Sequence, residues 1–257
     1  MNTLNLRKYK FTLSFVTDAF LPPFIGNTIR GALGQALYDN SREAYNAIFK
    51  GAGTESKPNP FSISAPYPSK GKYYAGEILE FYVTLFGIAG DCGEEIPKAV
   101  QTMCKGKLEH TRLTEIECIY AREWSDSGAE SIPHCDNLTV SFLSPTEILS
   151  SKKPLHEIGF NTFTDSLFGR INGIINNYTR NEFVLSYTLI AERPLVTAEY
   201  DLKPVDIQTS GQPIRGFIGQ IRYFGDITRY LPYIDLGSQI HIGKKTTRSC
   251  GEYSIEI

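Results

Sequence analysis

Hydrophobic residues alternate with polar ones in several segments, a pattern typical of half-buried β-strands. In the first half of the chain the alternation covers residues 9–15 and 79–85, and the segment LTEIECIYARE predicts a further strand. Apolar residues recur instead at helical spacing over 29–37 and 96–103, which predicts two helices. A short extended piece within residues 57–68 completes the order β-α-β-β-α-β.

The second half of the chain repeats this order of elements. The segments LTVSFLS, EFVLSYTLI, GFIGQIRYFG and YSIEI predict strands. Helices are predicted over residues 167–178 and in ITRYLPYIDLGSQI, where Pro232 fits only in the first turn or at a kink. The chain is therefore predicted to be an α+β protein with two tandem ferredoxin-like domains. We expect an N-terminal domain over residues 1–130 and a C-terminal domain over residues 131–257, joined in the polar stretch around residues 123–137.

The composition indicates an ordinary globular protein. The chain has 257 residues, of which 41% are hydrophobic and 21% charged, and its formal net charge is −2. These values exclude a protein coated in basic charge, but they allow a nucleic-acid binder whose positive charge is local. No apolar run has the length of a membrane span or the pattern of a signal peptide, so we expect a cytoplasmic protein without a membrane partner.

Neither a metal nor another cofactor is expected. The five cysteines form no C-x-x-C pair, and no histidine lies in an H-E-x-x-H motif, although zinc sites require closely spaced ligands. GKKTT resembles part of a phosphate-binding loop. That motif requires a glycine where Ser238 stands, a single lysine before Ser or Thr, and a helix afterwards. Nucleotide hydrolysis by this loop is therefore excluded.

The segment IHIGKKTTRSCGEY, residues 240–253, concentrates positive charge before the last strand and is called the basic loop below. It carries Lys244, Lys245 and Arg248, and loops with several cations and free backbone N–H groups can hold a phosphodiester backbone. A solvated surface turn is the alternative. His241 precedes the cations and could exchange protons beside a bound phosphate near neutral pH. The alternative role for His241 is structural.

The first predicted helix, GNTIRGALGQALY, has a second unusual feature opposite its apolar stripe. Arg30, Gly34 and Tyr38 lie one turn apart on that face, with Gly31 beside them. Each glycine costs about 1 kcal/mol in a helix interior relative to alanine, so we expect a close approach to the helix backbone. The approaching group is expected to be the sheet of the same domain, the other domain, or an RNA backbone held by Arg30.

Three segments resemble the CRISPR-associated repeat-processing endoribonucleases of the repeat-associated mysterious protein (RAMP) superfamily. FLPPFIGNTIRGALGQAL is similar to the family's N-terminal L-P-x-x-x-G-x-x-x-R-G-A-L segment, and GEILEF is similar to its G-E-x-L-x-F strand. GFIGQIRYFG and HIGKKT are similar to the C-terminal signature, in which a G-x-x-G-x-x-x-Y-x-G strand leads through a helix into H-x-G-K-x-T. The three segments are spread over nearly the whole chain.

The resemblance implies two ferredoxin-like domains and an RNA substrate, a CRISPR precursor transcript that is cut within its repeats to release guide RNAs. It implies metal-independent chemistry, in which a ribose 2′-hydroxyl attacks the adjacent phosphate. The expected partners are this repeat RNA and other CRISPR-associated proteins. We expect His241 and Lys244 to be catalytic. The residues expected to bind RNA are Arg30, Tyr38, Arg222, Lys244, Lys245 and Arg248.

Two departures from the family pattern leave alternatives open. The family's loop often reads G-K-G-T-x-x-G-x-G, and Lys245 and Ser249 replace two of its glycines. Many relatives carry a catalytic histidine near the first helix, whereas residues 1–109 contain none. Either His241 serves instead, or Lys and Tyr side chains do, or the chain is a non-catalytic RNA-binding subunit of a CRISPR effector complex. A two-domain scaffold with a merely solvated basic loop is a more distant alternative.

Overall fold

The computed structural model describes residues 2–50, 57–126, 134–150, 153–184, 189, 193–209 and 211–257. The strands are β1 (Thr3–Phe15), β2 (Ala19–Phe20), β3 (Phe61–Ser64), β4 (Lys72–Tyr73), β5 (Ile78–Phe86), β6 (Thr111–Ser125), β7 (Asn137–Thr146), β8 (Leu149–Ser150), β9 (Lys153–Pro154), β10 (Thr197–Ile207), β11 (Ile214–Phe224) and β12 (Tyr253–Glu256). The helices are α1 (Gly26–Asn40), α2 (Arg42–Tyr45), α3 (Glu95–Met103), α4 (Phe160–Tyr178) and α5 (Leu231–Ile240). A π-helical turn covers Asn46–Lys50, and short 3-10 segments cover Gly87–Cys92, Thr228–Tyr230 and Thr246–Arg248. None of the helices in these ranges is long and apolar enough to cross a bilayer.

Two four-stranded antiparallel sheets form the framework, with strand orders β3-β5-β1-β6 and β10-β11-β7-β12. Counted within its own half, each sheet has the order 2-3-1-4, with one helical connection after the first strand and another after the third. This is the ferredoxin-like arrangement, and it confirms the predicted tandem α+β fold. The expected boundary between residues 130 and 131 lies outside the described residues and stays a prediction.

Each sheet buries one face under its own helices. In the first half, Phe11 on β1 lies opposite Phe81 on β5, and both are fully buried against α1 and α3. In the second half, Ile221 and Tyr223 on β11 are equally buried under α4 and α5. Trp124 from the end of β6 packs into the core of the second half. The alternation that predicted these strands therefore marks the faces that form the two cores.

Hydrogen bonds between the halves fix how they meet. The Trp124 Nε1 donates to the Pro232 carbonyl at 3.2 Å, and the Tyr120 hydroxyl donates to Gln239 Oε1 at 2.6 Å. The Tyr178 hydroxyl donates to the Pro58 carbonyl at 2.8 Å. These contacts hold α4 and α5 against the N-terminal half, beside the position where the basic loop leaves α5.

One strand of the second sheet differs from the prediction. The pairing partner of β11 is β10, whereas a strand was predicted at residues 182–190. Residues 182–184 are irregular, and of the rest only Leu189 lies within the described residues. β10 contains Pro204 and lies at the sheet edge, where a missing backbone N–H is tolerated. The predicted place of Pro232, in the first turn of α5, is confirmed.

Candidate nucleic-acid interface

The basic loop folds back on the end of β7 immediately after α5. The Ile242 N–H donates to the Gly251 carbonyl at 2.9 Å, and the Lys244 N–H donates to the Glu147 carbonyl at the same distance. Gly243 and Gly251 both have a φ of 74°, the left-handed region that glycine adopts without steric cost. The two retained glycines therefore make the sharp turns that bring the loop against β7.

Lys245 and Ser249 also adopt left-handed backbone conformations, with φ of 60° and 63°. These positions stand where the family's loop has glycine, and an L-residue there costs about 1–2 kcal/mol. Ser249 offsets this cost across the domain interface, because its hydroxyl accepts a hydrogen bond from the Ala65 N–H at 2.9 Å. The loop therefore keeps the backbone path that glycines would give and is attached to β3 by a side chain.

Lys245 is held by a carboxylate that the sequence analysis missed. Its Nζ lies 2.6 Å from Glu147 Oε2, and the two side chains are only 12% and 10% exposed. Glu147 Oε2 also accepts a hydrogen bond from the Arg215 N–H at 3.1 Å. The charge of Lys245 is neutralised inside the protein, so this geometry does not support the expected RNA-binding role. Nothing in the sequence connects Lys245 with an isolated glutamate about a hundred positions earlier.

His241 is buried between the two domains, with 1% of its surface exposed. Its Nδ1 lies 3.1 Å from the Cys250 carbonyl, so Nδ1 carries the proton, and Nε2 accepts from the Ser64 hydroxyl at 3.1 Å. Burial lowers the pKa of His241 to about 3, and the nearby charge of Arg170 contributes. A neutral, enclosed imidazole cannot reach a phosphodiester. This geometry favours the structural alternative over the expected catalytic role.

The backbone of His241 is strained as well. Its φ of 63° and ψ of 169° lie in a region that is almost confined to glycine. Such a conformation persists only when the surroundings fix it. The hydrogen bonds to Ser64 and Cys250 supply that fixation, so His241 anchors the start of the basic loop.

Arg170 on α4 is another residue that the sequence analysis missed. Its Nε and Nη2 donate to the carbonyl of Ile240, the last residue of α5, at 2.9 and 2.7 Å. Burial lowers the pKa of Arg170 to about 9, which leaves the guanidinium charged at neutral pH. The residue thus terminates α5 with a favourable positive charge and sets the point at which the loop begins.

A groove of about 820 Å³ runs between the domains along one side of the basic loop. Its walls are formed by residues 57–59, which precede β3, by α4 and by the basic loop. Lys57 and Lys244 line it, both are exposed, and neither has an ion-pair partner within the described residues. Asp165 also lines this groove, and its carboxylate pairs with Arg193 at 2.6 Å. The unpaired charge in this groove is therefore positive, as a phosphodiester strand requires.

A second groove, of about 370 Å³, lies on the other side of the loop along α1. Arg30 lines it, and its Nε donates to the Thr247 hydroxyl at 3.1 Å. Burial, together with the neighbouring charge of Arg248, lowers the pKa of Arg30. Neither arginine has an ion-pair partner in the part of the chain that the structure describes. Two adjacent unpaired guanidiniums favour an anion between them, and Thr247 lines the larger groove too.

The other two predicted RNA-binding residues lie in different places. Tyr38 lines the second groove, and the guanidinium carbon of Arg42 lies 3.5 Å from the centre of its ring. Arg222 is exposed on β11, 3.8 Å from a carboxylate oxygen of Glu199, and it lines neither groove. The structure thus brings Arg30 and Arg248 together beside the basic loop, places Lys244 in the larger groove and Tyr38 in the second groove, and leaves Arg222 apart from both grooves.

Comparisons with known proteins agree with this architecture. Residues 140–253, which include the basic loop, match the model of the CRISPR-associated endoribonuclease Cas6 family, and residues 4–134 match the AF_1859_N N-terminal domain. No curated protein sequence matches the chain.

Solved structures share the fold at low sequence identity. A Cas6 product complex has a TM-score of 0.72 at 14% identity, with coverage of 98% of this chain and all of the other. A Thermus thermophilus Cas6 has a TM-score of 0.65 at 15% identity, with complete coverage of both chains. A partial Cas6-RT-Cas1–Cas2 complex has a TM-score of 0.71 at 11% identity, with coverage of 98% of this chain and 46% of the other.

The Cas6 match bears out the resemblance in the C-terminal signature, whereas the first helix and the G-E-x-L-x-F strand lie in the part that matches the separate N-terminal domain model. Residues 140–253 belong to the CRISPR-associated endoribonuclease Cas6 family, and the chain as a whole shares the fold of solved Cas6 proteins.

Proposed function

We propose that this protein cleaves CRISPR precursor RNA within its repeats, without a metal, by attack of a ribose 2′-hydroxyl on the adjacent phosphate. The products are a 2′,3′-cyclic phosphate and a 5′-hydroxyl. The observation that carries the proposal is the Cas6 family match over residues 140–253, which contains the basic loop and most of the residues that line the larger groove. Such a substrate is met in the cytoplasm.

The RNA backbone is proposed to follow the basic loop from one groove to the other. Lys57 and Lys244 contact phosphates in the larger groove, and Arg30 and Arg248 hold one phosphate between the grooves. Cations fixed beside a reacting phosphate stabilise the charge that develops on its oxygens. Lys244, which is exposed at the groove and held through its backbone by Glu147, is suited to that role.

The proton transfers need a group other than His241, because that imidazole is enclosed. Lys244 and Tyr38 remain as the Lys and Tyr alternatives, and both line the proposed RNA path. The Tyr38 hydroxyl makes no hydrogen bond to any other described residue, which leaves it available to a substrate hydroxyl. We therefore assign proton transfer to these two side chains rather than to a histidine.

The first test is cleavage of labelled repeat RNA by the pure protein in excess EDTA. We expect cleavage to continue, because the described residues contain no group of three His, Cys, Asp or Glu side chains that could hold a metal. A repeat with a 2′-deoxy nucleotide before the cut should bind equally well and stay intact, because the nucleophile is missing. Cleavage of that strand, or loss of activity in EDTA, contradicts the proposed chemistry.

A second function, RNA binding without cleavage, is favoured by one observation. The enclosed position of His241 leaves neither groove with a histidine among the described residues. The related structure of a Cas6-RT-Cas1–Cas2 complex shows that a Cas6 chain can be part of a larger CRISPR assembly. Tight binding of repeat RNA with no product at saturating protein would select this alternative and make the chain a subunit that depends on partner proteins.

The salt dependence of RNA binding should separate Lys244 from the other cations. Lys244→Ala is expected to reduce the slope of log affinity against log salt by about 0.7–0.9, the effect of one lost phosphate contact. Arg222→Ala is the matched control, because Arg222 is equally exposed but lines neither groove. Filter-binding titrations measure both slopes. Equal slopes for wild type and Lys244→Ala would place the RNA elsewhere.

A further inference from the structure

The second groove has features that binding of the RNA backbone does not explain. Its floor is the surface of α1 at Gly31 and Gly34, and its wall is made by the half-buried rings of Tyr45 and Phe49. The two rings are stacked, with centroids 5.5 Å apart and an angle of 8° between their planes. A cavity with a flat floor and an aromatic wall suits a flat ligand.

One of the two floor glycines is explained by the protein itself. A Cβ atom on Gly34 would lie 2.9 Å from the ring of Phe49, so the ring requires a glycine at that position. The close approach that the sequence analysis expected is thus made, at Gly34, by the π-helical turn of the same domain. This turn is neither the sheet of the domain nor the other domain, so the protein does cover the helix at Gly34 but with a different partner from those expected.

Gly31 has no such explanation. A Cβ atom there would meet only the end of the flexible Lys107 side chain, at 3.8 Å, among the described residues. Glycine at an interior helical position costs about 1 kcal/mol relative to alanine. The folded chain gains no packing in return for that cost. The glycine therefore keeps open a space that the protein leaves to a ligand.

The charges around this space specify the ligand further. Arg30 lies at one end of the groove, 5.4 Å from the centre of the Phe49 ring, and Arg42 lies over Tyr38 at the other end. No Asp or Glu lines the groove within the described residues. Arginine beside aromatic rings is the combination with which proteins hold an unpaired nucleotide, since the ring faces stack on the base and the cation binds the phosphate.

We propose, on the basis of the proposed function, that the second groove is a specificity pocket for one unpaired nucleotide of the bound RNA. The base lies on the helix surface at Gly31 against Tyr45, and its phosphate lies between Arg30 and Arg248. Because the pocket admits a base only after it has left the stack, it selects RNA that is single-stranded at that nucleotide. The bond from Arg30 to Thr247 sets the register between this base and the strand in the larger groove.

The test uses repeat RNAs that each carry one abasic nucleotide, moved through the repeat. In the wild type, removal of the base at one position should weaken binding at least about fivefold, the lower end of the effect of one stacked base. Gly31→Leu fills the space. It should lose that position dependence and keep the affinity for the abasic strand. Gln101→Leu, an equally bulky change at an exposed site on α3, should behave as wild type.

Gly31→Ala gives a second measurement that a purely structural glycine does not predict. Alanine favours the helix, so the melting temperature should stay equal or rise while affinity for the intact strand falls. An unchanged abasic profile in Gly31→Leu would overturn the pocket and leave the proposed function intact. If the wild type bound none of the RNAs, both proposals would fail. A variant that melts well below wild type would show that Gly31 serves packing, which also overturns the pocket.

Discussion

Lys245→Ala is expected to lower the free energy of unfolding by about 3 kcal/mol, whereas Lys244→Ala should change it by less than about 0.5 kcal/mol. The two lysines are adjacent in sequence and differ only in where the loop places them. Lys244 is exposed, whereas Lys245 lies 2.6 Å from Glu147 in a nearly enclosed pair. Removal of one partner leaves a buried charge that no neighbouring cation neutralises, and this accounts for the size of the effect.

Thermal unfolding of the two variants tests this difference directly. For a chain of this size, about 3 kcal/mol corresponds to a melting temperature lower by roughly 6–12 °C. Lys245→Gly separates charge from backbone strain, because glycine relieves the left-handed conformation but still leaves Glu147 unpaired. It should fall between Lys245→Ala and wild type. The double variant Glu147→Gln with Lys245→Met should regain most of the loss, since neither buried charge remains.

Equal melting temperatures for Lys245→Ala and Lys244→Ala would contradict the enclosed pair and return Lys245 to the set of RNA contacts. The same experiment bears on function. If Glu147 holds the loop, then Glu147→Gln should weaken RNA binding even though it removes a negative charge near the RNA. A purely electrostatic role for Lys245 predicts the opposite sign, namely tighter binding.

The strands and helices that could be predicted are those whose periodicity reflects a buried face. β1, β5 and β11 place alternate residues in a core, and their patterns are clear in the sequence. β10 could not be found in this way, because exposed residues stand on both of its faces and it contains Pro204. Pairing with β11, rather than side-chain burial, makes it a strand.

The basic loop shows a similar division between what was and was not predictable. Its position before the last strand was expected from the order of the sequence, whereas its contact with Arg30 through Thr247 was not. Which of its charges face the RNA could not be predicted, because that depends on Glu147, Ser64 and Arg170, each more than sixty residues away in sequence. A residue type in a motif shows which chemistry is available, and the tertiary contacts decide whether it is used.

The second large expected effect is the pH dependence of the free energy of unfolding, which His241 controls. The pKa of its imidazole is about 3 in the folded protein, because the ring is buried, and about 6.5 in the unfolded chain. Between these values the unfolded state binds a proton that the folded state does not. Stability therefore falls as the pH drops through this window, by about 1.4 kcal/mol per pH unit. The contribution of the neutral, buried His241 to stability is fully present above about pH 6.5.

His241→Asn isolates this contribution. The asparagine amide offers both a donor and an acceptor, so it can replace the hydrogen bonds of the imidazole to Cys250 and Ser64, but it does not titrate. Denaturant unfolding between pH 7.5 and about 4 should show a steeper loss of stability for the wild type than for the variant. Lys8, Arg170 and Glu252 face the same interior. The pKa of Glu252 is raised by burial, which gives a slope of the opposite sign, and it cancels in the comparison because both proteins carry it.

Single-turnover cleavage of repeat RNA by His241→Asn at saturating protein then decides between the two roles of the histidine. An anchor predicts a rate near that of wild type once the RNA is bound, with a weaker affinity because the loop is less firmly held. A proton-transfer group predicts a loss of about 10²–10⁴ in the rate at unchanged affinity. A slow rate would mean that His241 reaches the RNA through a rearranged loop, and a parallel loss of stability in wild type and variant on acidification would contradict the buried neutral imidazole.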